Sequence, residues 1–303
     1  MKKLLKLFIE ILILLSVIAL TFGLIEWRYK SYKTPIDIVM KNFNDTKKTA
    51  EILLVGNSHI IPLSVYLKKY SADNAHYTTI GFGGIDLFWE SVFLKKYMDS
   101  IPHLKSIVFS VDEELMGYNQ SFFKQEYTNR SFFKYTDTLY KITLSDRWLS
   151  KSNFFRSNRN AEYLFSEQKV PPMNDLFVAP KTETPLRCRQ RAKEQTEFRF
   201  NPDLIAENKT ILKETIARIK KSGVAITFVI LPKKECFKEN RNKKNIEIGR
   251  NALSSVMNEM NVQLMDYSTQ TYPDSLFRDA DHLNMRGSQL LWSKISEKLG
   301  LEK

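Results

Sequence analysis

Two short stretches hold most of the side chains that could do chemistry. Residues 278–291, RDADHLNMRGSQLL, crowd Asp279, Asp281 and His282 into four positions and add Asn284 before a helical apolar rhythm begins. Residues 52–59, ILLVGNSH, close an apolar run with Gly56, Asn57, Ser58 and His59. A neutral serine is a poor nucleophile; a base must take its proton, and a third group must fix the tautomer of that base. Asp279 and His282 are three positions apart, so a single turn presents both on one side. Gly56 lets the chain turn sharply after the apolar run, exposing the Ser58 hydroxyl near amides at a helix start. Those amides and the helix dipole would stabilise a developing oxyanion. Each stretch alone also has a plain reading. Ser58 would be an N-cap, or Asp279 or Asp281 would cap the last helix while His282 is merely polar. The conjunction of G-x-S early with D-x-x-H late is what points to nucleophilic catalysis.

The elements that must position these residues are legible as an alternation. Short apolar runs at EILLVG, YTTIG, LKSIVFSVDEE, VAITFVILP and VQLMDYS read as buried parallel strands. Between and after them, IDLFWESVFLKKYMDSI, LIAENKTILKETIARIKKSG, NIEIGRNALSSVMNEMN and RGSQLLWSKISEKLG carry apolar residues at helical spacing, and Pro62 marks a helix start just after Ser58. Strands alternating with helices of this length predict an α/β fold: a three-layer, doubly wound parallel sheet. In such a sheet ligands bind beyond the carboxyl ends of the strands. Gly56 to His59, the glycines 81, 83 and 84, Asp112 with Glu113, and the cluster at 279–282 all fall there. Residues 113–200 break the alternation and are rich in aromatics, with Phe-Phe pairs at 122–123 and 132–133. They read as an insertion, either with a small core of its own or as a cap over the sheet edge that shapes a groove or meets a membrane partner.

The leader sets the compartment. Lysines at 2, 3 and 6 precede an uncharged, largely apolar run from Ile11 to Ile25. Extended over residues 7–27, the run matches the roughly 30 Å hydrocarbon thickness that a helix must cross, and Trp27 and Tyr29 resemble an interfacial belt. An uncleaved anchor at 1–30 is expected. A cleaved signal peptide is the rival, with Thr21-Phe22-Gly23 as a faint cleavage site. A polar linker at 31–49 and an α/β domain at 50–303, interrupted by the insertion, complete the expected organisation. The net charge of +12 is spread along the chain without an arginine-rich arm, zinc-ligand pattern or basic-aromatic motif. It suits an anionic membrane or an acidic glycan and argues against nucleic acid. Cys188 and Cys236 would pair in an oxidising compartment or stand as unrelated thiols.

With these motifs in their order, LLVGNSH and FRDADHLNMRGSQLL, the chain resembles the SGNH/GDSL hydrolase superfamily over roughly 50–112 and 202–300. The resemblance implies a flavodoxin-like sheet, Ser58 as nucleophile, His282 as general base and Asp279 as its orienting carboxylate. It also implies an oxyanion hole from the amides of Ser58 and Gly84, with Gly83 adjacent, and a chemistry needing no metal or organic cofactor. Two positions depart from the pattern. Asn57 stands where many members have Asp, and Ser110-Val111-Asp112-Glu113 replaces the Gly-x-Asn-Asp whose Asn donates to the oxyanion. An ionised carboxylate cannot donate and would repel that oxyanion.

An N-terminal anchor with a degenerate third block resembles a membrane-bound, extracytoplasmic branch that works with membrane-bound O-acyltransferases on cell-surface polymers. The implied activity is acyl transfer to a cell-surface glycan through an acyl-serine, with such an acyltransferase as partner. The soluble domain would then lie outside the cytoplasmic membrane. A carbohydrate esterase with the same triad and a catalytically weak scaffold are the other readings.

Overall fold

The computed structural model describes residues 2–29, 34–70, 76–118, 134–136, 151–152 and 184–300. The chain divides into two compact units, residues 1–37 with 125–170, and residues 38–124 with 171–303.

The first unit contains α1 (Lys2–Tyr29). Its segment Lys3–Trp27 is apolar, unburied and 25 residues long, so it spans about 37 Å as a helix and is long enough to cross a bilayer. Asp37 accepts from the Thr34 amide and hydroxyl, both at 2.9 Å, and is paired with Lys134 at 2.6 Å and with the Tyr135 hydroxyl. Most of the aromatic segment expected as an insertion, including both Phe-Phe pairs, lies outside the described residues.

Next along the chain come α2 (Pro35–Thr46), β1 (Ile52–Gly56), α3 (Ile61–Tyr70), β2 (Tyr77–Gly81), α4 (Leu87–Tyr97) and β3 (Ser106–Ser110). After the aromatic segment follow α5 (Pro185–Lys193), α6 (Ile205–Lys221), β4 (Ala225–Ile230), α7 (Glu235–Asn240), α8 (Lys243–Glu259), β5 (Gln263–Asp266) and α9 (Met285–Lys298). The five strands are parallel in the order β2-β1-β3-β4-β5. This is a doubly wound sheet with flavodoxin-like strand order, and its topological switch falls between β1 and β3. Helices α3 and α9 pack together, as do α4, α6 and α8 through α6, giving helical layers against the sheet. Strand β1 is buried along its whole length, which is why it reads as an unbroken apolar run.

One feature differs from the sequence expectation. The stretch read as a linker contains α2, whose Val39, Met40 and Phe43 are buried, with Phe43 edge-on to Tyr97 at 5.5 Å. Its Lys41, Asn44 and Asp45 are exposed and gave the stretch its polar look. The C-terminal part of the expected insertion, residues 184–200, packs with the α/β unit through α5 and α7.

Cys188 on α5 and Cys236 on α7 form a disulfide, Cα to Cα 6.1 Å, across 48 residues of sequence. Cys188, Ala192, Phe237 and Ala280 form a buried apolar cluster around it. In the chain-entropy view a loop of this size is worth about 4 kcal/mol. The Cys188→Ser/Cys236→Ser protein is therefore expected to lose about that much stability in a denaturant titration. An unchanged midpoint would show that packing alone holds α5.

Candidate active site

The turn after β1 is built by Asn57. Its Oδ1 accepts from the His59 amide at 2.9 Å, and its carbonyl accepts from the Ile60 amide at 3.3 Å. This side-chain-closed turn lets the chain enter α3 without using the Ser58 hydroxyl as a cap. Gly56 has φ 153°, and a Cβ there would lie 2.8 Å from Ser110 Cβ on β3, so only glycine fits this close crossing. Gly84, after β2, sits at φ 70°, and its carbonyl accepts from the Tyr118 hydroxyl at 3.3 Å.

The plain reading of 279–282 as a helix cap does not hold. Asn284 caps α9, accepting from the Arg286 and Gly287 amides at 3.0 and 3.1 Å. The aspartates turn to imidazoles instead. His282 Nδ1 lies 2.8 Å from Asp279 Oδ1 and 3.0 Å from Asp281 Oδ1. Asp279 also accepts from the His282 amide at 2.9 Å. A carboxylate on Nδ1 fixes the tautomer whose lone pair is on Nε2, the form a general base needs.

A second imidazole stands against the first. His59 meets His282 edge-on with ring centroids 4.9 Å apart. Its Nδ1 donates to Asp112 Oδ2 at 2.6 Å, and its Nε2 lies 3.4 Å from Asp281 Oδ2. Burial disfavours the charged ring, but the two carboxylates outweigh it and push the His59 pKa up to about 10. Burial would raise the Asp112 carboxyl; His59 and Lys233 hold it far below its ordinary range. Lys233, buried just past β4, lies 3.2 Å from Asp112 Oδ1 and donates to both Glu114 oxygens at 2.7 and 2.8 Å. Asp281 receives Arg191 Nε of α5 at 3.0 Å, and its carboxyl is lowered, against burial, by His282 and Arg191. His282 is raised: burial opposes its charge, Asp281 and Asp279 favour it, and His59 opposes it.

A cleft open to solvent is lined by Asn57, Ser58, His59, Gly84 and Asp112, together with Arg191, Arg199 and Lys233. Of the residues picked out in the sequence, the structure brings Ser58 and Gly84 onto one cleft and Asp279 onto His282. Gly83 faces open space. His282 stands behind His59 and not on the cleft wall, and no Ser58–His282 hydrogen bond forms among the described residues. Serine–base bonds are often long without substrate and tighten when it arrives.

His59, Asp281 and His282 each offer one ligand atom, all within 4.8 Å of one another. Arg191 Nε also donates to Asp281 there, at 3.0 Å.

Sequence reasoning gave no catalytic role to His59, Asp281, Lys233 or Arg191. Lys233 was the most findable, since it follows β4 at the sheet edge where ligands bind. Arg191 fell in a stretch without strand or helix rhythm.

No protein-family model matches the chain, and no curated protein matches it. Among solved structures it is similar to a protein designated an acylhydrolase from Bacteroides fragilis, with 10% identity over 88% of this chain and 99% of the other, TM-score 0.44. It is also similar to a lipase/acylhydrolase from Enterococcus faecalis, 12% identical over 82% and 95%, TM-score 0.41. A third is a GDSL-like lipase from Bacteroides thetaiotaomicron, 9% identical over 90% and 97%, TM-score 0.43. Identities this low bear on fold alone, and with TM-scores below 0.5 the chemistry rests on the residues and not on these neighbours.

The His59 geometry fixes a pH signature. A histidine whose folded pKa is raised stabilises the fold fully below its unfolded value near 6.5, and that stability is lost as pH rises through about 10. Unfolding free energy is expected to fall over that window, by up to about 1.4 kcal/mol per pH unit for one proton. His59→Gln should flatten the slope. A wild-type curve already flat from pH 7 to 10 would contradict the bridged, charged imidazole.

Proposed function

We propose that this is a membrane-anchored, SGNH-type acyl-transfer protein that carries an acyl group on Ser58 and delivers it to a hydroxyl of a cell-surface glycan. The observation that carries the reading is the arrangement at the switch point of the sheet. Ser58 lines the cleft at the carboxyl end of β1, and His282, held by Asp279, stands one ring away behind His59.

In the reaction, Ser58 Oγ bonds to the acyl carbonyl carbon and its proton passes to His282 Nε2. The carbonyl electron pair moves onto oxygen, which the Ser58 and Gly84 amides would meet. Collapse expels the donor's oxygen, which takes the proton from His282. An acceptor hydroxyl then attacks the acyl-serine by the same steps in reverse and restores Ser58. Asp279 holds the His282 ring and favours its charged form throughout.

The extracytoplasmic placement draws support from the apolar helix at 3–27, which would anchor the chain, and from the disulfide, which is at home in an oxidising compartment. A membrane-bound O-acyltransferase is the kind of partner that would load such a serine from inside the bilayer. Release of the same acyl group to water would make the protein an esterase, and the two outcomes differ only in which nucleophile reaches the acyl-serine.

Detergent-solubilised full-length protein, given an aryl acetate with and without an oligosaccharide acceptor, separates them. Transfer predicts faster aryl release with acceptor and an acetylated sugar product; rapid hydrolysis indifferent to acceptor would favour the esterase. Ser58→Ala should abolish turnover in either case, and its retention would sink the serine mechanism. The activity should rise with pH through a value above 6.5, because the carboxylates raise His282. Asp281→Asn removes one of them and should move this limb to lower pH.

A further inference from the structure

The two departures from the family pattern touch each other. Asn57 Nδ2 donates to Asp112 Oδ2 at 3.1 Å, and both residues line the cleft with Ser58. We propose that Asn57 is the side-chain donor to the oxyanion and that Asp112 is its positioning residue, an exchange of roles between the ends of β1 and β3. This rests on the serine reading above and adds to it the group that replaces the missing third-block donor.

An amide nitrogen carries two hydrogens. One of those on Asn57 is committed to Asp112, and the Oδ1 end is committed to the His59 amide at 2.9 Å. The side chain is thus fixed at both ends, next in sequence to the nucleophile, with one N–H left over. A donor held still before the reaction stabilises developing charge without having to reorganise, which is the property an oxyanion site requires.

The other neutralising groups nearby are already engaged. Both His59 ring nitrogens face carboxylates, and Lys233 is spread over Glu114 and Asp112. Asp112 does not repel the oxyanion as an isolated carboxylate would, because His59 and Lys233 flank it with positive charge. Its remaining work is to hold the Asn57 amide. When Ser58 Oγ bonds to the carbonyl carbon and the π pair moves to oxygen, the spare Asn57 N–H donates to that oxygen; no proton is transferred to or from Asn57.

The test is a reciprocal exchange measured on full-length protein with an aryl acetate. Asn57→Ala is expected to lower kcat about 10²- to 10³-fold, with KM changed less than about threefold, because the bond forms only in the transition state. Asn57→Asp should be at least as poor, since it places a second carboxylate against Asp112. The double variant Asn57→Asp/Asp112→Asn returns one amide and one carboxylate to the pair with positions reversed, and should recover at least tenfold in kcat over Asn57→Asp.

A merely structural role for Asn57 would show instead as a rise in KM or a loss of stability accompanying the fall in kcat. Asn57→Ala turning over within threefold of wild type, while Ser58→Ala is dead, would overturn the proposal and leave the serine mechanism standing. A folded double variant no faster than Asn57→Asp would overturn it as well. If the double variant does not fold, the kcat and KM of Asn57→Ala decide alone. Ser58→Ala retaining full activity would instead mark failure of the serine reading itself.

Discussion

One buried imidazole ties the carboxyl end of the sheet together. His59, at the end of β1, lies between Asp112, at the end of β3, and Asp281, in the loop before α9. Three parts of the chain more than fifty residues apart in sequence thus share one charge. Two carboxylates this deeply buried are tolerable only with positive partners, and removing one partner from such a set typically costs about 3–5 kcal/mol. Lys233 and Arg191 complete the neutralisation at the two ends. The row from Lys233 to Arg191 alternates in sign, so no member can be altered without leaving a neighbour uncompensated.

The same row explains how a carboxylate can occupy a place where an amide would be expected. Asp112 is held ionised, and its charge is cancelled by His59 and Lys233 rather than projected into the cleft. The charged His59 also sits beside His282 and works against protonation of that ring, offsetting part of what Asp279 and Asp281 do to favour it. The His282 ring is thus held between carboxylates that favour its proton and an imidazole that opposes it. The pairing of α5 with α7 through Cys188 and Cys236 extends the arrangement outward, because α5 carries the Arg191 that closes the row at Asp281.

Much of this was legible in the sequence, for a physical reason in each case. Strands buried on both faces have no need of polar residues, so β1, β3 and β4 stand out as apolar runs, and their spacing by amphipathic helices gives the parallel sheet. The Asp279–His282 pair was visible because side chains three positions apart share one side of a turn. What stayed hidden depends on contacts across long separations. His59 was in view beside Ser58, but its role follows from Asp112 and Asp281, which only the fold brings to it. Arg191 and the short helix α7 lie where the period is too brief to read, and α2 was masked by the polar residues on its outer face. The capping of α9 by Asn284 could be read only once the aspartates were seen to point elsewhere.

The central claim is that the Ser58 hydroxyl is the group that becomes acylated. Folded full-length protein treated with a fluorophosphonate probe, digested and examined by mass spectrometry, tests it most directly. The account predicts one adduct, on the peptide carrying Ser58, that is lost when His282 is replaced by Ala. A folded protein that takes up no probe, or takes it up at another residue, would contradict it.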